Sequence, residues 1–205
     1  MASHRPIRPG IRVHVIRGSI STLAFGVAMA AFGSAAGLIE LPLRLALLDL
    51  RLPVVFRVHM AASGFGLLLL PVVLLAVPGG RLHRMSGAVT ATALTIGGVC
   101  AVPSALLSEA GLIARVGFLV QALVGLGCIG LGIASVRAGR IAAHRAHMAN
   151  ATVVFGGAIV LRLLLSGTSL LGLPFEASYA AIVWLCWLLP LALLIVWRQR
   201  HARWG

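Results

Sequence analysis

The sequence is poor in charged side chains and especially poor in acids. Of its 205 residues, 10% are charged, four are acidic and 60% are apolar. A soluble domain has roughly 25% charged residues, and about 45–50% apolar residues even when glycine is counted. A chain this short exposes much of its surface when it folds in water, so it could not bury this apolar content. The composition therefore excludes a soluble globular protein and predicts a polytopic membrane protein.

The scarcity of carboxylates excludes several kinds of chemistry. The acids all lie away from the centres of the apolar runs, at Glu40, Asp49, Glu109 and Glu176. Carboxylate proton relays, paired-carboxylate hydrolysis and buried Ser-His-Asp triads therefore have no residues to use. The sequence does not decide whether the protein is an enzyme.

Lysine is absent, and the 17 basic residues are all arginine. In a soluble chain this balance would suggest a nucleic-acid partner, but no soluble domain remains to bind one. The cysteines Cys100, Cys128 and Cys186 lie inside apolar stretches, and their spacing matches no zinc or haem-attachment motif. We interpret them as packing residues.

Six apolar runs are long enough to cross a bilayer, since each helical span needs about 20 residues. They lie at roughly 19–39, 54–78, 87–107, 113–136, 148–166 and 177–197. The predicted organisation is an all-α bundle of six transmembrane helices over 19–197, flanked by basic tails over 1–18 and 198–205. Twelve of the 17 arginines fall on one side of this arrangement. The positive-inside rule then places both termini in the cytoplasm, in a bacterial-type inner membrane.

A short helix is predicted in the first outer connection. The segment 41–52 is strongly apolar yet contains three charged residues. Pro42 suits the first turn of a helix, and Pro53 suits its end. We expect a helix that lies in the outer membrane interface. The alternative is an irregular loop packed across the end of the bundle.

Three histidines form an inner layer. His83 opens the third predicted span, and His144 and His147 open the fifth, which runs in the same direction. Residues three apart share a helix face, so His144 and His147 can both turn toward His83. Neutral imidazole is a common metal ligand, and two histidines on facing helices can hold a haem iron. The candidate metal ligands are His83 and His144. Alternatively, the inner histidines lie among arginines at a hydrated loop and contact phosphates, or they transfer protons.

An outer layer contains Arg57, His59 and Arg162, with Arg115 nearby. Arg162 lies about 21 Å along its helix from the inner edge, in the outer third of the bilayer. An arginine at this depth marks a function or a specific partner. Because His59 lies at a comparable depth, a quinone, a haem propionate or a lipid headgroup fits between the two side chains. Alternatively, Arg162 reaches the outer headgroups or pairs with Glu176 or Glu109.

Methionines lie beside three of the histidines, as Met60, Met85 and Met148. Thioether together with imidazole suits Cu(I). Adjacent helical residues face different ways, however, so these pairs cannot chelate a metal as neighbours in sequence. Copper is therefore a weaker expectation than haem.

Several stretches resemble those of one membrane-protein family. They are 58–65 around His59, Leu82-His83-Arg84-Met85-Ser86-Gly87, Ala143-His144-Arg145-Ala146-His147-Met148, Leu161-Arg162-Leu163, and 181–187. From Phe56 onward the chain resembles the predicted membrane proteins grouped as domain of unknown function 2306. The resemblance implies no particular reaction. It implies that four residues occupy positions typical of the family: His59, His83, His144 and Arg162.

The chain is also loosely similar to cytochrome b561-type membrane cytochromes. Those proteins are small helical bundles in which paired histidines on facing helices hold haem b. That similarity implies an inner pair of His83 with His144. The outer His59 has no histidine opposite it on the fourth span, where Gln121 is the nearest polar residue. A second haem held by two histidines is therefore not expected.

The sequence favours a redox function. We expect one haem b, ligated by the inner histidines, and electron exchange with a quinone-like partner or another membrane redox protein, while Arg162 holds an anionic group. The alternative is a non-catalytic subunit of a larger membrane complex or a lipid-binding protein. A transporter ranks third, because no span combines a mid-membrane Gly or Pro interruption with a charge.

Overall fold

The computed structural model describes residues 11–202, and within that range every side chain except those of 11–17, 20, 177 and 202. Over this range the chain is helical and contains no strand. The helices are α1 (Ile11–Ala35), α2 (Leu43–Arg51), α3 (Pro53–Leu75), α4 (Arg81–Leu107), α5 (Leu112–Arg137), α6 (Ile141–Leu170) and α7 (Phe175–Ala202). The predicted all-α fold is confirmed.

Five helices in the described range, α3 to α7, are long and apolar enough to cross a membrane. They overlap five of the six predicted spans. α1 overlaps the first predicted span, but its described apolar part, Ser21–Ala35, is shorter than a span. Six spans and cytoplasmic termini therefore stay predictions.

The helices extend beyond the predicted apolar runs. α1 begins at Ile11, inside the predicted tail 1–18, and α7 continues to Ala202, inside the predicted tail 198–205. Arginine is a good helix former, so helical structure continues past the apolar residues. Residues 1–10 and 203–205 of the predicted tails lie outside the described residues.

α2 is the short helix expected in the first connection, and the irregular-loop alternative is wrong. Pro42 precedes its first residue and Pro53 opens α3, so two prolines limit α2 to nine residues. Leu48 is its buried residue, whereas Leu43 and Leu50 are exposed. Exposed leucines suit a position in the membrane interface, which stays a prediction.

Two antiparallel hairpins form the centre of the bundle. α3 packs on α4, α5 packs on α6, and a contact between α4 and α5 joins the hairpins. α1 lies against α3, while α7 lies against α6 and α5. Each hairpin turn contains a glycine in the left-handed region, Gly79 at φ 76° and Gly139 at φ 71°. Glycine adopts this conformation without the steric penalty of a Cβ atom.

The two ends of the bundle differ in charge. One end contains α2 with its flanking segments, the α4–α5 turn and the start of α7, and it holds all four acids of the sequence. We call it the ion-pair end. The other end contains both hairpin turns and the C-terminal end of α7, and it has arginines without acids. We call it the arginine end; the two correspond to the predicted outer and inner sides.

The cysteines lie where packing residues are expected. Cys186 is fully buried and packs with Val154 and Trp187 between α6 and α7. Cys100 and Cys128 are partly buried, and all three thiols are free. These positions agree with the predicted packing role.

Candidate functional site

Histidines of the first hairpin hydrogen-bond from one helix to the other. His59 Nδ1 on α3 lies 2.8 Å from the Gly97 carbonyl oxygen on α4. Nearer the arginine end, His83 Nδ1 on α4 lies 3.2 Å from the Val73 carbonyl oxygen on α3. Because a carbonyl oxygen can only accept, both Nδ1 atoms carry the proton. The hairpin thus has one interhelical hydrogen bond in each direction.

The second hairpin has the same arrangement. Gln121 Nε2 on α5 donates to the Val154 carbonyl oxygen on α6 at 2.8 Å. Nearer the arginine end, His144 Nδ1 on α6 donates to the Gly132 carbonyl oxygen on α5 at 3.0 Å. In both hairpins, the first helix supplies the donor near the ion-pair end and the second helix supplies the donor near the arginine end.

The donors therefore occupy equivalent positions in the two hairpins. His144 corresponds to His83, 61 positions earlier, and Gln121 corresponds to His59, 62 positions earlier. The turn glycines are separated by a similar 60 positions. This equivalence supports the prediction that His83 and His144 lie at similar depth in the membrane.

Glycine allows close helix contact at two of the acceptors. A Cβ atom built on Gly97 would lie 3.1 Å from the backbone nitrogen of Ser63, which follows His59 by one turn. A Cβ atom on Gly132 would meet the side-chain end of Met148, which follows His144 by one turn. Small residues at such contacts let helices approach closely in lipid.

His83 has a structural role that needs no ligand. Its acceptor, Val73, lies in the last turn of α3, where carbonyl groups lack partners within the helix. The imidazole N–H satisfies one of these carbonyls. The same bond fixes the ring and leaves the Nε2 lone pair free, which is the tautomer that a metal-bound histidine requires.

The predicted haem ligands bond to different helices. His83 hydrogen-bonds to α3, and His144 hydrogen-bonds to α5. The Cβ of His147 lies 3.4 Å from a Cβ atom built on Gly132, so His147 packs at the same contact as His144. Among the described residues, no group of three or more His, Cys, Asp or Glu side chains could hold a metal. A two-histidine site stays a prediction.

Arg162 lies in a groove between α1 and α6 that has a volume of about 210 Å3. The groove is lined by Thr22, Leu23, Gly26 and Val27 of α1 and by Ile159, Arg162, Leu163 and Ser166 of α6. Arg162 lies about 12 Å from the end of α6 at the ion-pair end. Its Nη1 donates to the Ala158 carbonyl oxygen at 2.9 Å, within its own helix. A Cβ atom on Gly26 would have no neighbour within 4 Å, so the groove is open there.

The acids at the ion-pair end bind other arginines. The ion pairs are Arg44–Glu176, Arg51–Glu109 at 2.5 Å and Arg57–Asp49 at 3.0 Å. The expected alternative, in which Arg162 pairs with Glu176 or Glu109, is therefore wrong, because arginines of α2 hold both carboxylates. Across residues 18–202, Arg162 has no carboxylate partner.

The Arg57–Asp49 pair fastens α2 to the start of α3. Arg57 Nε and Nη2 each donate to a different carboxylate oxygen of Asp49, both at 3.0 Å. The Arg57 hydrogen bonds, together with the positive charge, hold the pKa of the Asp49 carboxyl below its ordinary value. The carboxylate therefore stays charged, and the pair stays formed, at every pH above about 4.

Aromatic side chains extend from α2 toward Arg162. The Arg44 guanidinium lies 5.6 Å from the centroid of the Phe175 ring, and Phe175 stacks on Tyr179 with 4.9 Å between centroids. Arg162 interacts electrostatically with Tyr179 and with His59. His59 is not part of the groove lining. Arg162 therefore lies in the groove, whereas His59 lies within electrostatic range of it but outside the lining.

Sequence reasoning missed two residues of this region. Gly26 forms an open part of the groove wall, and the four-residue spacing from Thr22 on α1 was a possible signal of it. Tyr179 is the single tyrosine of the chain and stands near the start of α7. Its position near the membrane interface, where tyrosine is enriched, was a second possible signal.

A model of the predicted membrane protein family DUF2306 matches residues 56–197, more than half of the chain. The matched segment contains Arg162 and both hairpins apart from the first three residues of α3, and it leaves out α1, which forms one wall of the groove. No curated protein and no solved structure matches the chain. The chain belongs to the DUF2306 family of predicted membrane proteins.

Proposed function

We propose that the protein binds the polar head of a membrane quinone in the groove at Arg162. The observation that supports this most is an arginine inside a span that faces an open groove and has no carboxylate partner among the described residues. An arginine at the bilayer centre costs about 2.5–3.5 kcal/mol on insertion scales, and less near the interface. A ligand that accepts its hydrogen bonds would offset this cost.

The two side chains are complementary to both forms of a quinone. Arg162 can only donate hydrogen bonds, which suits the carbonyl oxygen of the oxidised form. His59 does not line the groove, but its Nδ1 proton is used on the Gly97 carbonyl, and its free Nε2 is the acceptor that we propose for the hydroxyl group of the reduced form. An anionic lipid headgroup would use Arg162 alone. The pair of a donor and an acceptor therefore favours a quinone.

The size of the groove supports a ligand whose tail stays in the bilayer. Its volume of about 210 Å3 is below the roughly 300–1,000 Å3 of sites that enclose a whole small molecule. Leu23, Val27 and Leu163 provide an apolar lining that continues to the lipid-facing surface. The groove therefore suits a head group, with an isoprenoid-like tail among the lipids.

Binding of a decyl-substituted benzoquinone to the purified protein in detergent, followed by quenching of tryptophan fluorescence, tests this proposal. Arg162→Leu should weaken binding about 10–100-fold, because a hydrogen bond to a charged group contributes about 1.5–3 kcal/mol. Arg162→Lys should give an intermediate affinity, because lysine keeps the charge but lacks the planar guanidinium. Equal affinity for the wild type and Arg162→Leu would contradict the proposal.

Two glycine variants distinguish the effect of filling the groove from the effect of adding a leucine elsewhere in the bundle. Gly26→Leu fills the open part of the groove without touching Arg162, so it should abolish binding. Gly130→Leu places the same side chain on α5, where the added Cβ also has no neighbour within 4 Å. That variant should bind the quinone like the wild type. Binding that survives in Gly26→Leu would place the ligand elsewhere.

Electron transfer through a haem b held by His83 and His144 is a second candidate function. A haem iron takes only two ligands from the protein, and these two histidines occupy equivalent positions and leave Nε2 free. Absorption spectra of the oxidised and dithionite-reduced protein test it. His83→Ala and His144→Ala should each remove the Soret band, whereas His201→Ala, which changes a contact within α7, should not. A Soret band of full intensity in both variants would contradict haem ligation by His83 and His144. A colourless wild-type protein would favour the alternative of an accessory subunit.

A further inference from the structure

The two ends of the bundle balance their charges differently. At the ion-pair end, three of the four acids bind arginines of α2 and α3. The arginine end has no acid, and its described arginine side chains are Arg81, Arg84, Arg137, Arg140, Arg145, Arg198 and Arg200. The described side chains at this end therefore do not compensate its positive charge.

One of these arginines has a structural role. Arg198 Nη1 on α7 donates to the Ala146 carbonyl oxygen at 3.2 Å and to Asn150 Oδ1 at 2.9 Å, both on α6. The other six are exposed. Since they contribute no carboxylate contact to the described part of the chain, they are available to an external anion.

Five of the six exposed arginines lie at the two equivalent hairpin turns, and Arg200 lies near the end of α7. Arg81 and Arg84 stand in the first turn of α4, and Arg140 and Arg145 stand at the start of α6. A guanidinium presents paired N–H donors that match the oxygens of a phosphate group. Each turn therefore offers at least two phosphate-binding side chains.

Apolar neighbours of these arginines indicate the kind of phosphate. Leu82 follows Arg81 and is 60% exposed, and Ile141 follows Arg140 and is 47% exposed. A free phosphate or a nucleic acid has no acyl chain that would contact exposed aliphatic side chains beside the arginines. A phospholipid has both a phosphate and acyl chains, so it is complementary to both groups.

We propose that the arginine end binds anionic phospholipids at two equivalent sites, one at each hairpin turn. The phosphate contacts Arg81 and Arg84 at one turn, and Arg140 and Arg145 at the other. The acyl chains lie beside the exposed aliphatic residues. Both sites lie at the opposite end of the bundle from the groove at Arg162. The proposal of lipid binding therefore does not depend on quinone binding.

The test compares spin-labelled phosphatidylglycerol with spin-labelled phosphatidylcholine at the protein surface, in bilayers that contain the purified protein. The wild type should bind the anionic lipid several-fold more strongly. Arg81→Gln with Arg84→Gln should lower that selectivity by about half, because it removes the basic residues of one of the two sites that attract an anionic lipid. The pair Arg140→Gln with Arg145→Gln should have a similar effect.

Arg81→Lys with Arg84→Lys is the matched control, because it keeps the charges and removes the guanidinium geometry. It should retain most of the selectivity, and monodisperse elution with unchanged helical circular dichroism confirms folding of every variant. Equal binding of the two lipids by the wild type would overturn the proposal. Displacement of phosphatidylglycerol by millimolar inorganic phosphate, or by a short RNA, would also overturn it, since the partner would then be a soluble anion.

Discussion

The two hairpins use the same interhelical hydrogen bonds but differ in one donor. Near the ion-pair end, the first hairpin uses His59 and the second uses Gln121. The amide shows that this bond does not require an imidazole. His59 has in addition a titratable nitrogen, and it lies within electrostatic range of Arg162. In the proposed function, the first hairpin provides a site, and the corresponding position in the second hairpin is structural.

The hairpins also differ in how tightly they pack at their acceptor glycines. A Cβ atom on Gly97 would meet the Ser63 hydroxyl and also the backbone of Ser63, which cannot move without shifting α3. At Gly132 the nearest neighbour is the flexible end of Met148. The first hairpin is therefore the more tightly packed of the two at these contacts.

The largest predicted effect concerns this difference in packing at the acceptor glycines. Gly97→Ala should destabilise the protein by about 1–3 kcal/mol, because overpacking forces backbone shifts. Gly132→Ala should change stability by less than about 0.5 kcal/mol, since Met148 can turn aside and alanine favours the helix. Thermal unfolding in detergent measures both. Equal destabilisation by the two variants would remove the distinction between the hairpins.

A smaller effect concerns the interhelical hydrogen bonds. His59→Leu and Gln121→Leu should each destabilise the protein by about 0.6 kcal/mol, a typical value for such a bond between membrane helices. His59→Gln should restore most of the stability, because it copies the donor of the second hairpin. The same unfolding assay tests this, and a His59→Gln protein as unstable as His59→Leu would argue against the equivalence.

The smallest effect concerns the ion-pair end. Because the native pKa of Asp49 is lowered, the Arg57–Asp49 pair stabilises the protein above about pH 4, and its contribution is lost as the pH falls through the native pKa. Asp49→Asn should therefore flatten the fall in thermal stability between about pH 5 and pH 3. A wild type and an Asp49→Asn protein with the same pH profile would show that the pair contributes nothing.

The sequence predicts the fold well because apolar length is a local property. Five spans and the helix between Pro42 and Pro53 follow from composition and proline positions. Helix ends are less predictable: α6 begins at Ile141, before the expected residue 148, because arginine and histidine continue a helix readily.

The candidate site was predicted only in part. The choice of His59, His83, His144 and Arg162 needed only residue type and depth, and the structure places each of these in a defined interhelical or groove position. The partners of Arg162 depend on which arginines reach the acids, and that depends on the path of α2 across the end of the bundle. Sequence spacing alone does not contain this long-range information.

Binding of decyl-benzoquinone to His59→Gln tests the central claim most directly. This variant can keep the interhelical hydrogen bond while it loses the Nε2 acceptor of the imidazole. We predict a folded protein of nearly wild-type thermal stability whose affinity for the reduced quinone falls at least tenfold, whereas Gln121→His binds like the wild type. Wild-type affinity for the reduced quinone in His59→Gln would contradict the claim that the first hairpin provides the ligand site.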